Sequence, residues 1–281
     1  MSNLENIAGR VSAPRILVVL LTLIHYLGKA ISFQIHREKK NLDNKSKDLV
    51  QNLKSQGYAV LTGYYDNEDC EKIKDEIDRL IQQNPAAISL SDDKSDVRLF
   101  AAENFSPLIR RFHDDPFLLG ISSGYAQSKI ENTSTMAACL SHIENNKGSG
   151  GGWHRDSFGS PVKAIMYVSR VTGDTGPFQF VPDSNKPRNI IRDIWCNRLP
   201  FLNYRFTEDD VRRIQSEGNY EVQAVTGDPG TVILVDTSAI HRGKPIASGS
   251  RYALTNYYSL ASKEKKQRSH LNLAKANGAA D

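Results

Sequence analysis

The chain has 281 residues, a formal net charge of +4 and three cysteines, Cys70, Cys139 and Cys196. Its length allows a full-sized core, and its composition, 39% hydrophobic and 24% charged, is that of an ordinary globular protein. The dispersed cysteines contain no C-x-x-C pair, which argues against a disulfide scaffold or a zinc ribbon and favours a reducing compartment.

The net charge is concentrated at the N-terminus. Residues 1–40 hold six basic side chains against Glu5 and Glu38, so this segment carries the whole excess and the remaining residues balance. A balanced main domain gives no support for a nucleic-acid partner. We predict three parts: a basic, apolar segment (residues 1–40), a main domain (41–262) and a polar tail (263–281).

An apolar run, residues 16–27, lies within the basic segment. It is too short to span a bilayer, and no clean cleavage site of a signal peptide follows it. Basic flanks favour a helix on an anionic membrane surface, so peripheral membrane contact through residues 10–40 is one expectation. The other is a helix that docks on its own domain or at a dimer contact.

The main domain opens with two helices around a strand. Leu49, Val50 and Leu53 mark the buried face of the first helix, which Gly57 ends. A strand over residues 58–62 follows, and Asn67 is the expected cap of the second helix. Short helices are predicted over residues 106–113 and 116–124.

The rest of the domain has the pattern of short strands. The segments 163–168 and 177–181 flank a turn and predict a hairpin. The absence of alternating strand and helix units favours a mainly β fold with flanking helices: a jelly roll, or cupin-like double-stranded β-helix, of about eight strands. The other predicted strands cover residues 97–100, 133–143, 220–225, 231–236 and 251–259.

An insertion over residues 186–220 interrupts the strands. It contains a helix that Thr207 caps, and such an insertion is typical of a lid or binding loop. We expect its aromatic side chains to contribute to a substrate pocket. They are Trp195, Phe201, Tyr204 and Phe206.

A candidate metal site lies in the segment Trp153–Asp156. On an extended segment His154 and Asp156 point to the same side and can hold one ion together. A second histidine, His241, follows an apolar strand much later in the chain. Two imidazoles and one carboxylate leave three coordination positions open, as in the non-haem Fe(II) oxygenases. Zinc hydrolysis is a chemical alternative, but no obvious general-base glutamate adjoins His154.

Two neighbouring features fit such a site. The run over residues 145–152, which is rich in glycine, predicts a mobile lip beside the metal. Arg251 begins the last strand, ten residues after His241, and a planar guanidinium there could hold a carboxylate bidentately.

With these residues, the chain resembles the phytanoyl-CoA dioxygenase family of Fe(II)- and 2-oxoglutarate-dependent oxygenases, from about Leu53 to Tyr258. The resemblance rests on the H-x-D…H pattern, the segment 57–61 and the turn 181–185. It implies that Fe(II) is held by His154, Asp156 and His241. It also implies that 2-oxoglutarate is held by Arg251, with Tyr167 as a nearby aromatic residue.

The resemblance implies a dioxygenase that uses O2 and 2-oxoglutarate to hydroxylate an aliphatic carbon of a small or lipid- or sugar-type substrate, releasing succinate and CO2. An aspartate ligand favours hydroxylation or desaturation over halogenation, which needs that position for chloride. The alternative is a non-catalytic jelly-roll module that binds a ligand. Because 2-oxoglutarate and ferrous iron are intracellular supplies, we expect a cytoplasmic location.

Overall fold

The computed structural model describes residues 14–35, 42–156, 162–201 and 203–260, so the predicted tail, residues 263–281, lies outside the described residues. The helices are α1 (Arg15–Ile35), α2 (Asn44–Gln56), α3 (Asn67–Gln83), α4 (Pro107–His113), α5 (Pro116–Ala126), α6 (Pro187–Asn197) and α7 (Glu208–Gly218). The strands are β1 (Tyr58–Leu61), β2 (Ile88–Leu90), β3 (Asp96–Leu99), β4 (Ile130–Ser141), β5 (Val162–Tyr167), β6 (Phe178–Phe180), β7 (Gln223–Val225), β8 (Val232–Asp236), β9 (His241–Gly243) and β10 (Ser250–Leu260).

The described strands form two antiparallel sheets. The larger has the order β1-β8-β5-β10-β4-β3-β2, and the smaller has the order β7-β6-β9. The strand β8 is buried on both faces. Side chains alternate along it, so Val232 and Leu234 pack in the helix-side core while Ile233 and Val235 pack toward the smaller sheet. This is the predicted jelly roll with flanking helices, and the fold prediction is confirmed.

The helices that cover the larger sheet have recognisable ends. Asp43 caps α2 by accepting from Ser46 N at 2.7 Å, and Gly57 ends it with φ of 85°, as predicted. The predicted cap of α3 is wrong by one residue. The cap is Asp66, whose carboxylate accepts from Asp69 N at 2.7 Å, and Asn67 is the first helical residue.

The predicted hairpin of residues 163–168 and 177–181 is also wrong. The strand β5 pairs with β8 and β10 in the larger sheet, whereas β6 pairs with β7 and β9 in the smaller one. The chain between them crosses from one sheet to the other, with Val171 bridging to Gly227 on the way. Glycines between two predicted strands indicate that the chain reverses its direction there. They do not indicate which other strand each of the two will pair with.

The insertion over residues 186–220 holds two helices, α6 and α7, of which only the second was predicted. None of the four aromatic side chains expected at a substrate pocket lines the cavity that contains His154, Asp156 and His241, so the expected contribution there is wrong. Phe206 is buried with Ile190 in a separate apolar cluster, Phe201 and Tyr204 are partly buried against that cluster, and Trp195 is 45% exposed on the surface. Phe201, Tyr204 and Phe206 pack the insertion against the domain.

The helix α1 packs against α6. Its buried positions are Val18 and Thr22, and Val18 belongs to the same apolar cluster as Ile194. The opposite face is apolar yet exposed, with Ile16 at 72% and Leu27 at 62%. Among the described residues, no helix combines the length and the hydropathy needed to cross a bilayer.

Candidate metal centre

The two candidate histidines are held opposite each other by the backbone. His154 N donates to His241 O at 2.9 Å, and His241 N donates back to His154 O at 2.7 Å. This reciprocal pair connects the segment after the glycine-rich run to strand β9. A third hydrogen bond, from Asp156 N to Thr237 O at 3.0 Å, continues the pairing of these two segments. Residues far apart in sequence therefore present their side chains to one point.

The three side chains converge as a metal site requires. One ligand atom from each of His154, Asp156 and His241 lies within 4.8 Å of the others. The Nε2 atom of His154 is 3.7 Å from Asp156 Oδ1, and Nε2 of His241 is 3.6 Å from Asp156 Oδ2. The carboxylate thus faces both imidazoles.

The opposite nitrogen of each ring is fixed by a backbone carbonyl. Nδ1 of His154 lies 2.9 Å from Gly152 O, and Nδ1 of His241 lies 2.9 Å from Ala239 O. Because a carbonyl only accepts, each Nδ1 carries the proton and each Nε2 presents its lone pair to the common point. This arrangement is typical of metal-bound histidines.

Burial sets the charge of these groups. It lowers the pKa of His154 and lowers the pKa of His241 to about 3, which keeps both imidazoles in the neutral form that binds metals. Burial opposes ionisation of Asp156, but the ammonium of Lys163, 2.7 Å away, outweighs it and holds the pKa of that carboxyl below its usual range. The ligand set is one anion and two neutral donors.

Arg155, which lies between His154 and Asp156 in the sequence, has a supporting role. Arg155 is buried, and its Nη1 donates to Ser184 O and to Ser238 O, both at 2.9 Å. It therefore joins the turn after β6 to the turn before β9. Ser184 Oγ accepts from Ile240 N at 2.7 Å and extends this support to the residue next to His241. The turn 181–185, noted in the sequence, serves to position the distal histidine.

The glycine-rich run packs directly against the site. Gly150 has φ of +84°, and a Cβ there would lie 2.2 Å from Cε1 of His154. Its carbonyl also accepts a hydrogen bond from Nη1 of Arg205. A side chain at position 150 would push the imidazole away from the other two candidate ligands.

We therefore predict that Gly150→Ala weakens Fe(II) binding by about 10–100-fold, the loss typical of disturbed outer-shell partners of a metal site. The matched control is Gly63→Ala, because Gly63 has φ of +60°, no atom within 4 Å of its Cβ position and a place in the turn after β1, away from the site. Both variants carry backbone strain, and only the first displaces His154. Equal Fe(II) affinity of the two variants in equilibrium dialysis would contradict this prediction.

Arg251 and Tyr167 lie in the same cavity as the triad. Arg251 is 5% exposed, its Nη1 donates to Gly176 O, and its Nε has no hydrogen-bond partner among the described residues. The hydroxyl of Tyr167 donates to Val225 O at 2.8 Å and accepts from Phe178 N at 2.9 Å. Tyr167 thus offers the cavity its ring rather than its hydroxyl, while Arg251 keeps a donor for a ligand.

The cavity has a volume of about 260 Å³. Sequence reasoning missed three of the charged residues that line it, Lys163, Arg98 and Arg205. Arg98 turns inward and pairs with the buried Asp96. For Lys163 a signal existed, because side chains two apart on a strand share a face and Tyr167 had already been singled out four residues later.

The residues present fit ferrous iron and 2-oxoglutarate. Two neutral imidazoles and one carboxylate suit Fe(II) with open positions. A buried guanidinium with an unused N–H suits the distal carboxylate of a 2-oxo acid.

Known proteins share this architecture. The epimerase SnoN in complex with Fe3+, alpha-ketoglutarate and nogalamycin RO is 16% identical, with a TM-score of 0.60 over 77% of this chain and 84% of that one. EctD from S. alaskensis with 2-oxoglutarate and 5-hydroxyectoine is 18% identical, with a TM-score of 0.58 over 81% and 80%. HygX from Streptomyces hygroscopicus with nickel and 2-oxoglutarate bound is 14% identical, with a TM-score of 0.54 over 79% and 88%. At these identities the likeness establishes the fold.

The family follows from the sequence itself. No curated protein sequence matches the chain. The model of the family "Phytanoyl-CoA dioxygenase (PhyH)" matches residues 53–253, a range that contains the triad, Tyr167 and Arg251. This span is well over half of the chain, and the chain belongs to the phytanoyl-CoA dioxygenase family.

Proposed function

We propose that the protein is an Fe(II)- and 2-oxoglutarate-dependent dioxygenase that hydroxylates an aliphatic carbon of a small or lipid- or sugar-type substrate. The reaction consumes O2 and releases succinate and CO2. The observation that carries this proposal is the convergence of ligand atoms from His154, Asp156 and His241 within 4.8 Å of one another, in a cavity that also contains the buried Arg251.

The residues have distinct tasks in this proposal. His154, Asp156 and His241 hold the iron, which when bound supplies the oxidising chemistry between O2 and the two organic reactants. The backbone carbonyls at the two Nδ1 atoms keep the rings from turning. Arg251 binds the distal carboxylate of 2-oxoglutarate, and the ring of Tyr167 covers the co-substrate from water. Asp156 stays a ligand, which favours hydroxylation over halogenation.

The size of the cavity bears on the substrate. Ligand pockets in proteins usually measure about 300–1,000 Å³, and this one, at about 260 Å³, must also accommodate 2-oxoglutarate. The site therefore suits a small molecule, or one end of a longer molecule whose remainder stays outside. A survey of metabolite fractions tests this directly.

The functional test is succinate release in air, in the presence of Fe(II), 2-oxoglutarate and fractionated metabolite extracts. At least one fraction should raise succinate formation well above the uncoupled rate, and an Asp156→Ala variant should not respond. If wild-type protein binds compounds from these fractions but never forms succinate, the alternative of a non-catalytic ligand-binding module replaces the oxygenase.

We also propose that residues 41–262 form the oxygenase domain and that α1 adds a peripheral contact with an anionic membrane surface. The exposed face of α1 is apolar along its length, and the described part of the helix contains no acidic residue. Basic residues precede and follow it in the sequence. Apolar area between positive charges suits anionic lipid headgroups. The exposed side chains are Ile16, Leu17, Leu20, Leu23, Ile24, Leu27 and Ile31.

The double variant Ile24→Gln with Leu27→Gln should lose binding to phosphatidylserine vesicles in a sedimentation assay. Both side chains point away from α6, so the fold should be kept. The control is Leu90→Gln, an equally exposed leucine on the main domain, at 54%. Wild-type protein that stays in the supernatant with these vesicles would contradict the membrane contact.

A further inference from the structure

The floor of the cavity is formed mainly by side chains of the two neighbouring strands β5 and β10. The strands β5 and β10 are neighbours, with Tyr257 opposite Lys163, Thr255 opposite Ile165 and Ala253 opposite Tyr167. All six of these side chains line the cavity. Because alternate residues share one face of a sheet, they form rows that run from one end of the cavity to the other.

The two ends of this floor are both cationic. Arg251 and Tyr257 lie six residues apart on β10, which places their Cα atoms about 20 Å apart. Lys163 is at the Tyr257 end, where its ammonium lies 4.4 Å from the centroid of the tyrosine ring. Arg251 is assigned to 2-oxoglutarate in the proposed function, so the co-substrate leaves the Lys163 end unused.

Lys163 is oriented toward the centre of the site. Its side chain is 18% exposed, and its Nζ lies 2.7 Å from Asp156 Oδ2. An ammonium has three N–H donors, and among the described residues Asp156 is its ion-pair partner. Donors remain for an oxygen of a molecule that lies beside the metal.

The charges around the cavity do not balance. The cationic lining residues are Arg98, Lys163, Arg205 and Arg251, and Asp156 is the acidic one among the described residues. The buried Asp96 neutralises Arg98. Ferrous iron and the 2-oxoglutarate dianion cancel each other, so four positive and two negative side chains leave +2, of which the exposed Arg205 at the rim supplies one charge. Residues 157–161 carry no charge in the sequence and do not alter this balance.

We propose that the primary substrate is an organic anion whose carboxylate or phosphate group binds to Lys163 at the Tyr257 end of the cavity, with Arg205 as a second cation at the rim. This inference rests on the proposed function and adds the class of substrate. A neutral substrate would leave excess positive charge in a partly buried site, which is costly. Between the two cationic ends the floor is uncharged and includes the apolar Ile165 and Met136, which suits the aliphatic part that reacts.

The test measures binding without turnover. Protein loaded with Mn(II) and 2-oxoglutarate under anaerobic conditions is titrated in a calorimeter with pentanoate, pentyl phosphate and the neutral pentanamide. Wild-type protein should bind an anionic probe at least about 10-fold more tightly than the amide, the worth of one charge-assisted hydrogen bond. The preferred anion, carboxylate or phosphate, identifies the group on the substrate.

Two variants assign this preference to Lys163. Lys163→Met should remove it, and Lys163→Arg should keep most of it, since both Lys and Arg supply a cation. The control is Arg170→Met, because Arg170 is exposed and pairs with Asp228 on the surface. Calorimetry of 2-oxoglutarate itself is done first for every protein, so a loss of loading is distinguished from a loss of probe binding.

The outcomes separate the inference from the function on which it rests. Failure of wild-type protein to bind Mn(II) and 2-oxoglutarate would overturn both. Normal loading with equal affinity for the three probes would overturn the anionic substrate alone, and this comparison needs no variant. If Lys163→Met weakens loading but keeps the anion preference, Lys163 only positions Asp156, and the assignment is wrong.

Discussion

Replacing His241 by alanine is expected to abolish succinate formation and to weaken Fe(II) binding by well over 100-fold. Loss of a supporting outer-shell partner typically costs about 10–100-fold in metal affinity, and loss of a ligand removes more. His241 is buried, its Nε2 faces Asp156, and its backbone makes both bonds to His154. The alanine variant keeps those backbone bonds and removes only the ring. Equilibrium dialysis with Fe(II) under nitrogen measures the affinity.

The control for this variant is His142→Ala. His142 also has Nδ1 near a backbone carbonyl, Ile246 O at 2.8 Å, but it does not line the cavity. Its loss should leave Fe(II) affinity and succinate formation unchanged. Wild-type affinity in the His241 variant, or equal losses in both variants, would contradict the assignment of the triad.

Replacing Arg251 by leucine is expected to raise the 2-oxoglutarate concentration needed for half-maximal rate by about two to four orders of magnitude. A bidentate contact supplies two charge-assisted hydrogen bonds of about 1.5–3 kcal/mol each. Arg251 is buried, and its Nε has no partner among the described residues, so its fork is available to a carboxylate. Initial rates over a wide range of 2-oxoglutarate concentrations measure the effect.

A lysine at position 251 distinguishes the contribution of positive charge to 2-oxoglutarate binding from that of the planar guanidinium geometry. Arg251→Lys keeps a cation but lacks the planar fork, so its 2-oxoglutarate requirement should lie between those of the wild type and the leucine variant. Since Arg251 also donates to Gly176 O, the thermal stability of both variants is measured alongside. A reduced maximal rate with an unchanged 2-oxoglutarate requirement would show that Arg251 does not bind the co-substrate.

Local features of the fold were predictable because their signals are local. Gly57 ends α2 in a left-handed conformation that glycine adopts without strain, and this is visible in the sequence. The alternation along β8 likewise follows from its own residues. Even the error at the cap of α3 is small, because Asp66 and Asn67 are both good capping residues and only the backbone conformation selects between them.

Contacts between segments that are far apart in the sequence were harder to predict. Whether β5 and β6 pair depends on neighbours more than 50 residues away, β8 and β9, and glycines in the turn do not encode that choice. The packing of the aromatic side chains in the insertion could not be predicted for the same reason. Phe206 belongs to an apolar cluster that includes Val18 of α1, and no pattern within residues 186–220 points to that helix.

The candidate site contains both local features, which the sequence predicts, and long-range contacts, which it does not. The spacing of His154 and Asp156 is local, and a strand rule suffices to put both on one side. Their meeting with His241 and Arg251 was inferred through the family resemblance. Lys163 was missed because a lysine on a strand is usually a solvated charge. Its spacing from Tyr167 predicts a shared strand face, but its contact with Asp156 is visible only in the structure.

The measurement that most directly tests the central claim is an anaerobic titration of the protein with Fe(II) and 2-oxoglutarate, followed by visible absorption. The titration should produce a weak charge-transfer band that saturates at one Fe(II) and one 2-oxoglutarate per chain and is missing in His241→Ala. If wild-type protein develops no band at saturating concentrations and forms no succinate in air, the triad does not hold iron for this chemistry.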